Sequence, residues 1–493
     1  MNKFYITTTL PYVNAPPHIG FALEMAQADA IARYQKLLGK EVFFNTGTDE
    51  HGIKIYQKAL ESDKEIQAYV NEYAEKFKKL MPVLGISDDI HFIRTTDEYH
   101  VKACREFWKR VDKNGFIEKK NYKVKYCVGC ELEKTDQELD HDKCPIHPNM
   151  ELEIREEENY FFKFSKLQKQ LLSLYKKYPD FVVPDFRFNE IKKFVGNGLQ
   201  DFSISRLREK MPWGVPVPGD EDHVMYVWFD ALINYISTLG WGNQQSAISN
   251  QQFEEFWGTK ANPKALQIAG KDNLRQQSAM WQAMLLAAGL PTSRQIIIHG
   301  FINSGGQKMS KSLGNVADPY AIIHQLEEKG LSNEQATDAL RYYLLGEIST
   351  FEDGDYTFEH LVEVYNGKLA NGLGNLTSRI LKMAANNSIK YQTSSIKYKE
   401  NENLKQYELQ KAMQEIWKEM GELDEYIQKN EPFKTIKTDR EKGEADIRYL
   451  LEQLHHIAVK LQPFLPQTSE KILQVINEPK LENIPKLFPR IEA

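Results

Sequence analysis

The sequence predicts an α/β fold in which a parallel sheet is interrupted by an insertion and followed by a helical C-terminal region. Two strand-like segments, Lys3–Thr9 and Glu41–Thr46, flank an amphipathic helix that begins near His18, and this order is typical of a parallel sheet. Between residues 116 and 225 the pattern changes to short alternating runs with scattered prolines, which indicates an insertion. From about Gln335 onward the periodicity is almost entirely helical.

Composition and charge restrict the class of protein. The chain has 493 residues, 41% of them hydrophobic, and a net charge of −6, so it can bury several cores and is not coated in positive charge. The N-terminal residues lack a basic segment followed by an apolar stretch, and the longest apolar run, near Ala279–Leu290, is too short to cross a bilayer. We therefore expect a cytoplasmic protein. Cys104 stands alone in a helical stretch and is expected to be a small buried residue.

His18 and Gly20 lie at the turn between the first strand and the first helix. A helix N-terminus presents unpaired N–H groups and the positive end of the helix dipole, which suit a phosphate. Gly20 allows a ligand to approach the backbone, and His18 can donate a hydrogen bond to a phosphoryl oxygen as charge develops there. On the motif alone, a helix-capping histidine beside a packing glycine is the simpler interpretation.

A second motif, Lys308-Met-Ser-Lys-Ser312, follows the glycine pair Gly305-Gly306. Two lysines three residues apart on a glycine-hinged loop form a mobile cationic clamp. Such a clamp can stabilise a transition state in which negative charge moves onto a leaving pyrophosphate. The alternative is a solvated charged loop.

The insertion carries a pattern of metal ligands. Cys127 and Cys130 form one close pair, and Cys144 and His147 form a second pair after a spacer. Two pairs on tight turns are typical of a structural zinc site, and four filled positions favour a closed site over a catalytic one. His141 is a worse-spaced alternative to His147, and free thiols are the competing interpretation.

The His18-Ile-Gly-Phe21 motif after the first strand and the Lys308–Ser312 motif after the last resemble the two signatures of class I aminoacyl-tRNA synthetases. The resemblance covers nearly the whole chain and implies a split Rossmann-type domain that binds ATP with Mg²⁺. It implies catalytic roles for His18, Lys308 and Lys311. The implied ATP contacts are His18, Gly20, Phe21, Gly270, Asp272, Lys308, Met309, Ser310 and Lys311. The family usually has a second histidine where this chain has Phe21, so we predict slower adenylation than in a Phe21→His variant.

Within that class the chain most closely resembles the methionyl-tRNA synthetases. Trp228, Ala231, Leu232 and Tyr235 are spaced to share one helix face, which alone indicates ordinary core. With Leu10-Pro-Tyr12 the pattern resembles the methionine pocket of that family, where a thioether packs against aromatic edges. The implied methionine-binding residues are Leu10, Tyr12, Asp49, Trp228, Ala231, Leu232, Tyr235 and His299. Asp49 would hold the ammonium group, although a helix cap explains it equally well.

Two positions near the nucleotide and tRNA sites depart from the family pattern. Gln277 stands about where family members often carry a histidine, so the outer part of the Gly270–Asp272 site is less defined. In the helical tail, Asn375-Leu-Thr-Ser-Arg379 resembles the family's anticodon-binding motif, and a surface salt bridge is the alternative for Arg379. Phe433 falls where the family commonly has a tryptophan, and phenylalanine can still stack on a base.

The resemblance implies a methionine–tRNA ligase that forms methionyl-adenylate and transfers the methionyl group to tRNA(Met). We expect a monomer of five regions: 1–115 and 226–318 as the two catalytic halves, 116–225 as the zinc-binding insertion, 319–355 as a stem-contact linker, and 356–493 as the anticodon-binding domain. A cysteinyl-type synthetase, a non-catalytic RNA-binding relative and a small-substrate nucleotidyltransferase are the alternatives.

Overall fold

The structure is a computed structural model that describes residues 2–130, 132–134, 139–243, 247–307, 309, 315–389, 398–478 and 484–492. Its N-terminal part alternates strands with helices, as the sequence predicts. These elements are β1 (Lys3–Thr7), α1 (Ile19–Leu37), β2 (Glu41–Thr48), α2 (Ile53–Glu61), α3 (Ile66–Val83), β3 (His91–Arg94) and α4 (Glu98–Lys113).

The next part is built around a long antiparallel pair. Its elements are β4 (Ile117–Cys127), β5 (Leu132–Lys134), β6 (Glu153–Phe162), α5 (Gln168–Lys177), β7 (Val182–Val183), α6 (Asp185–Gly196), β8 (Phe202–Ser203), β9 (Ser205–Leu207), β10 (Pro216–Val217) and β11 (Asp220–Met225). Strands β4 and β6 pair along nearly their whole length, with β5 and β8 at the edges of the same sheet. Strands β9, β10 and β11 form a separate three-stranded antiparallel sheet, and β7 joins the main parallel sheet beside β13, defined below. Two residues are too short for a strand signal in the sequence.

The part of the chain after the insertion returns to parallel strands. Its elements are α7 (Val227–Ala231), α8 (Asn234–Ser237), α9 (Ala247–Phe256), β12 (Leu266–Gly270), α10 (Trp281–Ala287), β13 (Gln295–His299) and β14 (Ile302–Ser304). The main sheet has the order β3-β2-β1-β12-β13-β7, and all of its pairs are parallel. Successive strands are added on one side of β1 (β2, then β3) and on the opposite side of β12 (β13), so the strand order reverses between β1 and β12. Ligands bind at the carboxyl ends of strands at such a switch point.

The C-terminal part is helical apart from one short strand, β15, which pairs with β14. Its elements are α11 (Pro319–Glu328), α12 (Asn333–Tyr342), β15 (Gly354–Tyr356), α13 (Phe358–Val364), α14 (Asn375–Asn386), α15 (Glu402–Lys405), α16 (Leu409–Asn430), α17 (Pro432–Thr438), α18 (Arg440–Leu461) and α19 (Pro466–Asn477). Local sequence signals determine where several of these helices begin. Ser332 and Gln335 form a capping box at the start of α12. Glu431 adopts a left-handed conformation, and Pro432 is the first residue of α17.

A fully buried arginine joins the helical C-terminal part to the N-terminal α/β part. The Arg341 guanidinium on α12 lies 2.9 Å from the Asp29 carboxylate of α1. It also donates to the carbonyl oxygens of Leu84, after α3, and Phe464, after α18. A buried charge needs this degree of pairing. Helix α1, which begins at the predicted phosphate site, is therefore fixed near its middle by the C-terminal helices.

Candidate active site

The turn between β1 and α1 holds His18 in a defined orientation. The backbone N–H of Gly20 donates to His18 Nδ1 at 3.1 Å, so His18 caps α1. A Cβ atom on residue 20 would lie 2.9 Å from the ring, which explains the glycine. Burial lowers the pKa of His18, although Asp272 opposes this effect. A neutral His18 that accepts at Nδ1 carries its proton on Nε2, ready to donate.

The side chain of Phe21 packs below this turn. Its ring is 7% exposed and meets Phe77 of α3 edge-to-face at a centroid distance of 5.1 Å. The predicted nucleotide contact of Phe21 stays a prediction, and the structure shows a core residue.

The end of β12 meets the end of β13 beside His18. A Cβ atom on Gly270 would lie 2.9 Å from the Asp272 carboxylate and 3.5 Å from the His299 ring, so glycine keeps this corner open. His299 Nε2 lies 2.9 Å from the Glu24 carboxylate, which also accepts from the Thr9 backbone at 2.6 Å. Burial lowers the pKa of His299, but the Glu24 carboxylate, the Gly300 carbonyl and Asp272 together outweigh this effect, and the net shift is upward.

His299 lies beside the predicted nucleotide site, and its predicted role in binding methionine stays a prediction. Its neighbours Gly270 and Asp272 belong to the predicted nucleotide site, whereas the prediction assigned His299 to methionine. The sequence could not show this, because only the pairing of β12 with β13 sets His299 opposite Gly270.

The loop after β2 is fixed to the loop after β1. Tyr12 and Asp49 pair in a short parallel bridge, in which the Asp49 N–H donates to Pro11 and Asp49 accepts from Val13. The Asp49 side chain is 8% exposed. Gly52 has a φ of 111°, and a Cβ there would lie 2.4 Å from the Tyr12 hydroxyl. The structure therefore brings the predicted ammonium ligand and the predicted aromatic residue together.

The other predicted pocket residues lie on two short helices. The sequence predicts one helix face for Trp228, Ala231, Leu232 and Tyr235, but α7 ends at Ala231 and α8 begins at Asn234. Trp228 is half-buried and the other three are buried, while Leu10 is half-buried at the end of β1. The Tyr235 hydroxyl accepts a hydrogen bond of 2.7 Å from Gln277.

Sequence reasoning missed several residues that position this site. Glu50 is fully buried and accepts two hydrogen bonds from Arg94, at 2.6 and 2.8 Å. His51 Nδ1 lies 3.1 Å from the Asp230 carboxylate on α7, so the Asp49 loop is joined to the helix that carries Trp228. The Asp-Glu-His-Gly run is a visible signal, but its partners are too distant in sequence to infer.

The second signature motif lies largely outside the described residues. Lys308, Ser310 and Lys311 are not among them, and Met309 packs at the edge of the core. The preceding glycines have φ values of 61° and 74°, and the Gly306 N–H donates to Asp355 at 2.8 Å. The loop that leads into the motif is thereby anchored to β15.

The four predicted metal ligands converge in the insertion. Cys130 Sγ lies 3.3 Å from Cys144 Sγ and 3.2 Å from His147 Nδ1, and all four ligand atoms, Cys127 Sγ included, lie within 4.8 Å of one another. Tetrahedral zinc with bonds of about 2.0–2.3 Å places its ligand atoms roughly 3.3–3.8 Å apart. The contacts of Cys130 are close to this spacing, and the wider separations would have to shorten when an ion binds. A Cβ on Gly129 would lie 2.5 Å from the His147 ring. His141 is exposed and bonds to Asp140 instead, which excludes it from this cluster.

The predicted anticodon residues lie on the surface of the C-terminal helices. Asn375 is the first residue of α14 and is exposed, and Arg379 follows one turn later. Arg379 forms an ion pair with Asp424 of α16, which is the salt bridge named as the alternative. Phe433 on α17 is 44% exposed. Their role in binding RNA stays a prediction.

The structure combines a helix start at the switch point of a parallel sheet, an insertion with four clustered candidate metal ligands, and a helical C-terminal part. With the matching family model, these features define a class I aminoacyl-tRNA synthetase. Family models agree: tRNA synthetases class I (M) matches residues 4–149 and 130–381, and the anticodon binding domain of methionyl tRNA ligase matches residues 383–488.

Relatives and solved structures narrow the class. Methionine–tRNA ligase of Thermotoga maritima is 38% identical over 96% of this chain and 75% of its own length, and that of Nostoc sp. is 39% identical over 96% and 89%. Mycobacterium tuberculosis methionyl-tRNA synthetase in complex with methionyl-adenylate superposes with a TM-score of 0.88, at 33% identity, over 99% of this chain and all of that one. The chain therefore belongs to the methionyl-tRNA synthetase family. Within the described residues, no helix is both long and apolar enough to span a membrane.

Proposed function

We propose that the carboxyl edge of the sheet divides between ATP and methionine in the methionine–tRNA ligase reaction of this family. On the nucleotide side, His18 Nε2 would donate to a phosphoryl oxygen, since Nδ1 already accepts from Gly20. Gly270 and Asp272 would contact the ribose. Lys308 and Lys311 would neutralise the leaving pyrophosphate, and Mg²⁺ would accompany the ATP.

On the other side of the edge, the methionine ammonium would lie against the Asp49 carboxylate. The thioether would pack among the aromatic and aliphatic side chains of the pocket, where sulfur meets ring edges. The observation that carries this assignment is the Tyr12–Asp49 bridge, together with the His51–Asp230 contact that joins it to α7. These contacts set an acidic group and an apolar pocket side by side, as an α-amino acid requires.

The reaction then has two steps, and positioning does most of the work. A methionine carboxylate oxygen attacks the α-phosphorus of ATP, and the bond to the pyrophosphate breaks. The terminal ribose hydroxyl of tRNA(Met) next attacks the carbonyl carbon of methionyl-adenylate, and AMP leaves. Asn375, Arg379 and Phe433, on the surface of the C-terminal helices, would bind the anticodon.

The insertion would hold one structural Zn²⁺ through Cys127, Cys130, Cys144 and His147. Four protein ligands leave no open position for a substrate, so the ion would stabilise the fold of the knuckle. This arrangement disfavours a cysteinyl-type enzyme that holds a substrate thiol on a metal. We keep the five-region boundaries given above, a cytoplasmic location and a monomer as part of the proposal, and light scattering would measure the oligomeric state.

ATP–pyrophosphate exchange against the twenty amino acids, without tRNA, tests this assignment. We expect exchange with methionine alone. Exchange with cysteine would leave the ATP site in place but overturn the pocket. If a folded, zinc-loaded protein shows no exchange with any amino acid, a non-catalytic RNA-binding role replaces the proposal.

A further inference from the structure

The Asp230 carboxylate on α7 is a buried charged group that the proposed reaction does not touch. Its side chain is fully buried, and within the described residues its one close partner is His51, whose Nδ1 lies 3.1 Å away. His51 is itself only 5% exposed. A buried carboxylate is unfavourable unless it is paired. A buried ion pair contributes little net stability, and holding one arrangement of the chain is the role that fits it.

The other polar groups near Asp230 satisfy one another. His100 on α4 lies 2.9 Å from the Ser237 hydroxyl through Nδ1 and 3.2 Å from the Cys104 thiol through Nε2. The Cys104 thiol also donates to the Asp230 backbone carbonyl, at 3.7 Å. The carboxylate itself is therefore left to His51, which belongs to the loop after β2.

Two further contacts anchor this loop next to His51. The indole N–H of Trp213 donates to the Glu50 carbonyl at 2.6 Å, and the Gly52 N–H donates to the Trp213 carbonyl at 3.2 Å. The Trp213 and His51 rings also lie 5.7 Å apart, centroid to centroid. The backbone on both sides of His51 is thereby fixed, so a shift of the His51 ring would move the whole loop, Asp49 included.

Asp230 shares its short helix with two residues of the proposed methionine pocket, Trp228 and Ala231. Asp49, on the loop, is the proposed ligand of the ammonium group. Methionine has a limited length, so it contacts both only when the loop and the helix are the right distance apart. The contact between His51 and Asp230 sets that distance, because it joins the two segments directly.

We propose that Asp230, acting through His51, is a positioning residue that sets the distance between the Asp49 carboxylate and the apolar wall of the pocket on α7. This inference rests on the proposed methionine pocket. Loss of the contact would misplace the ammonium ligand and leave the apolar wall intact. Because hydrogen bonds weaken steeply with distance and angle, a shift of about 1 Å is enough to reduce binding of the ammonium group.

The experiment compares two competitive inhibitors of ATP–pyrophosphate exchange that lack the reacting carboxylate. One is methioninol and the other is methioninol without its amino group, so the ratio of their inhibition constants isolates the ammonium contact. Asp230→Asn preserves the shape of the side chain but removes its charge. We expect the preference for methioninol to fall about tenfold, while the affinity for the deaminated alcohol stays within about twofold of the wild-type value. A purely structural defect would weaken both inhibitors alike.

The kinetics of methionine should show the same selectivity. The ammonium contact is made in the ground state and in the transition state, so Asp230→Asn should raise KM about tenfold with kcat nearly unchanged. Trp213→Phe is a second variant, at a half-buried position, and removes only the N–H that holds the Glu50 carbonyl. It should lower the preference for methioninol about threefold. Ser237→Ala is the matched control, since it removes the neighbouring contact with His100, and should keep the wild-type preference.

Asp49→Asn separates this inference from the proposed function. It should abolish most of the preference for methioninol, and Asp230→Asn in that background should lower the preference no further, because Asp230 acts through Asp49. If Asp49→Asn lowers the preference but Asp230→Asn and Trp213→Phe keep the wild-type value, the inference is overturned and the pocket stands. If Asp230→Asn does not fold, the Trp213→Phe result alone decides. If Asp49→Asn leaves the preference unchanged, the pocket assignment itself is wrong.

Discussion

The carboxyl edge of the sheet and the surface of the C-terminal helices hold their candidate side chains in opposite ways. At the edge, Asp49 and Tyr235 are buried, and each is fixed through neighbours from other segments. On the helices, Arg379 and Phe433 are 38% and 44% exposed, and the Arg379 contact is an ion pair on the surface. Chemistry needs groups that are fixed before the reaction, whereas unstacked bases can be bound by exposed side chains.

Because the two regions serve different steps of the proposed reaction, substitutions in each region should impair a different step. Substitutions at the edge should impair amino acid activation without tRNA. Substitutions on the helices should affect only the transfer to tRNA, although Arg341 joins the two parts through α1.

The largest effect is expected at His18. In His18→Ala the exchange rate should fall about 10²–10³-fold, because a donor to the transition-state phosphate is lost. His18→Gln is the matched variant, since its amide can both accept from Gly20 and donate outward, and it should retain more activity. Equal losses in the two variants would argue against the donated hydrogen bond.

The four clustered candidate metal ligands of the insertion are partly to fully buried, and substitutions there should affect stability rather than chemistry. Cys130→Ser should reduce bound zinc from one ion to less than one and lower the melting temperature, because metal binding contributes folding free energy. Elemental analysis and thermal melting measure both. His141→Asn is the control and should keep the zinc, since His141 lies outside the cluster. Zinc loss in the control would show that the ligand set is different.

A smaller effect is expected at Arg379. In Arg379→Ala the kcat/KM for tRNA should fall roughly tenfold, the value of one or two lost base contacts, with exchange unchanged. Asp424→Asn releases Arg379 from its ion pair and should not reduce the kcat/KM for tRNA. A fall in melting temperature with unchanged aminoacylation would mean that the salt bridge is the whole role of Arg379.

The fold could be predicted well from the sequence where the signal is local. The strand–helix–strand start, the glycine-flanked turns and the four metal ligands all lie close together along the chain, and the structure confirms their arrangement. The helix face from Trp228 to Tyr235 was wrong in detail, because periodicity does not show that the backbone leaves the helix after α7.

What the sequence could not show are contacts between distant segments. Glu50 with Arg94, and Glu24 with His299, join residues that only the sheet order brings together. Gln277 was noticed as a departure from the family pattern, but its bond to Tyr235 depends on the π-helical turn at Gln276–Met280. Residues that orient a site are therefore harder to predict than residues that touch a substrate.

The smallest effect is expected for Phe21→His, where sequence and structure lead to different expectations. The family pattern predicts faster adenylation, because a histidine there would reach the nucleotide. In the structure the Phe21 ring lies against Phe77 beneath the turn, so a histidine would lose an aromatic contact worth about 0.5–1.5 kcal/mol and bury a polar ring. We therefore expect a lower melting temperature and a change of less than about threefold in the single-turnover rate of adenylate formation. A large acceleration with unchanged stability would show that residue 21 turns toward the nucleotide. Residue 21 of α1 would then belong to the set of side chains that are fixed at the sheet edge before the reaction.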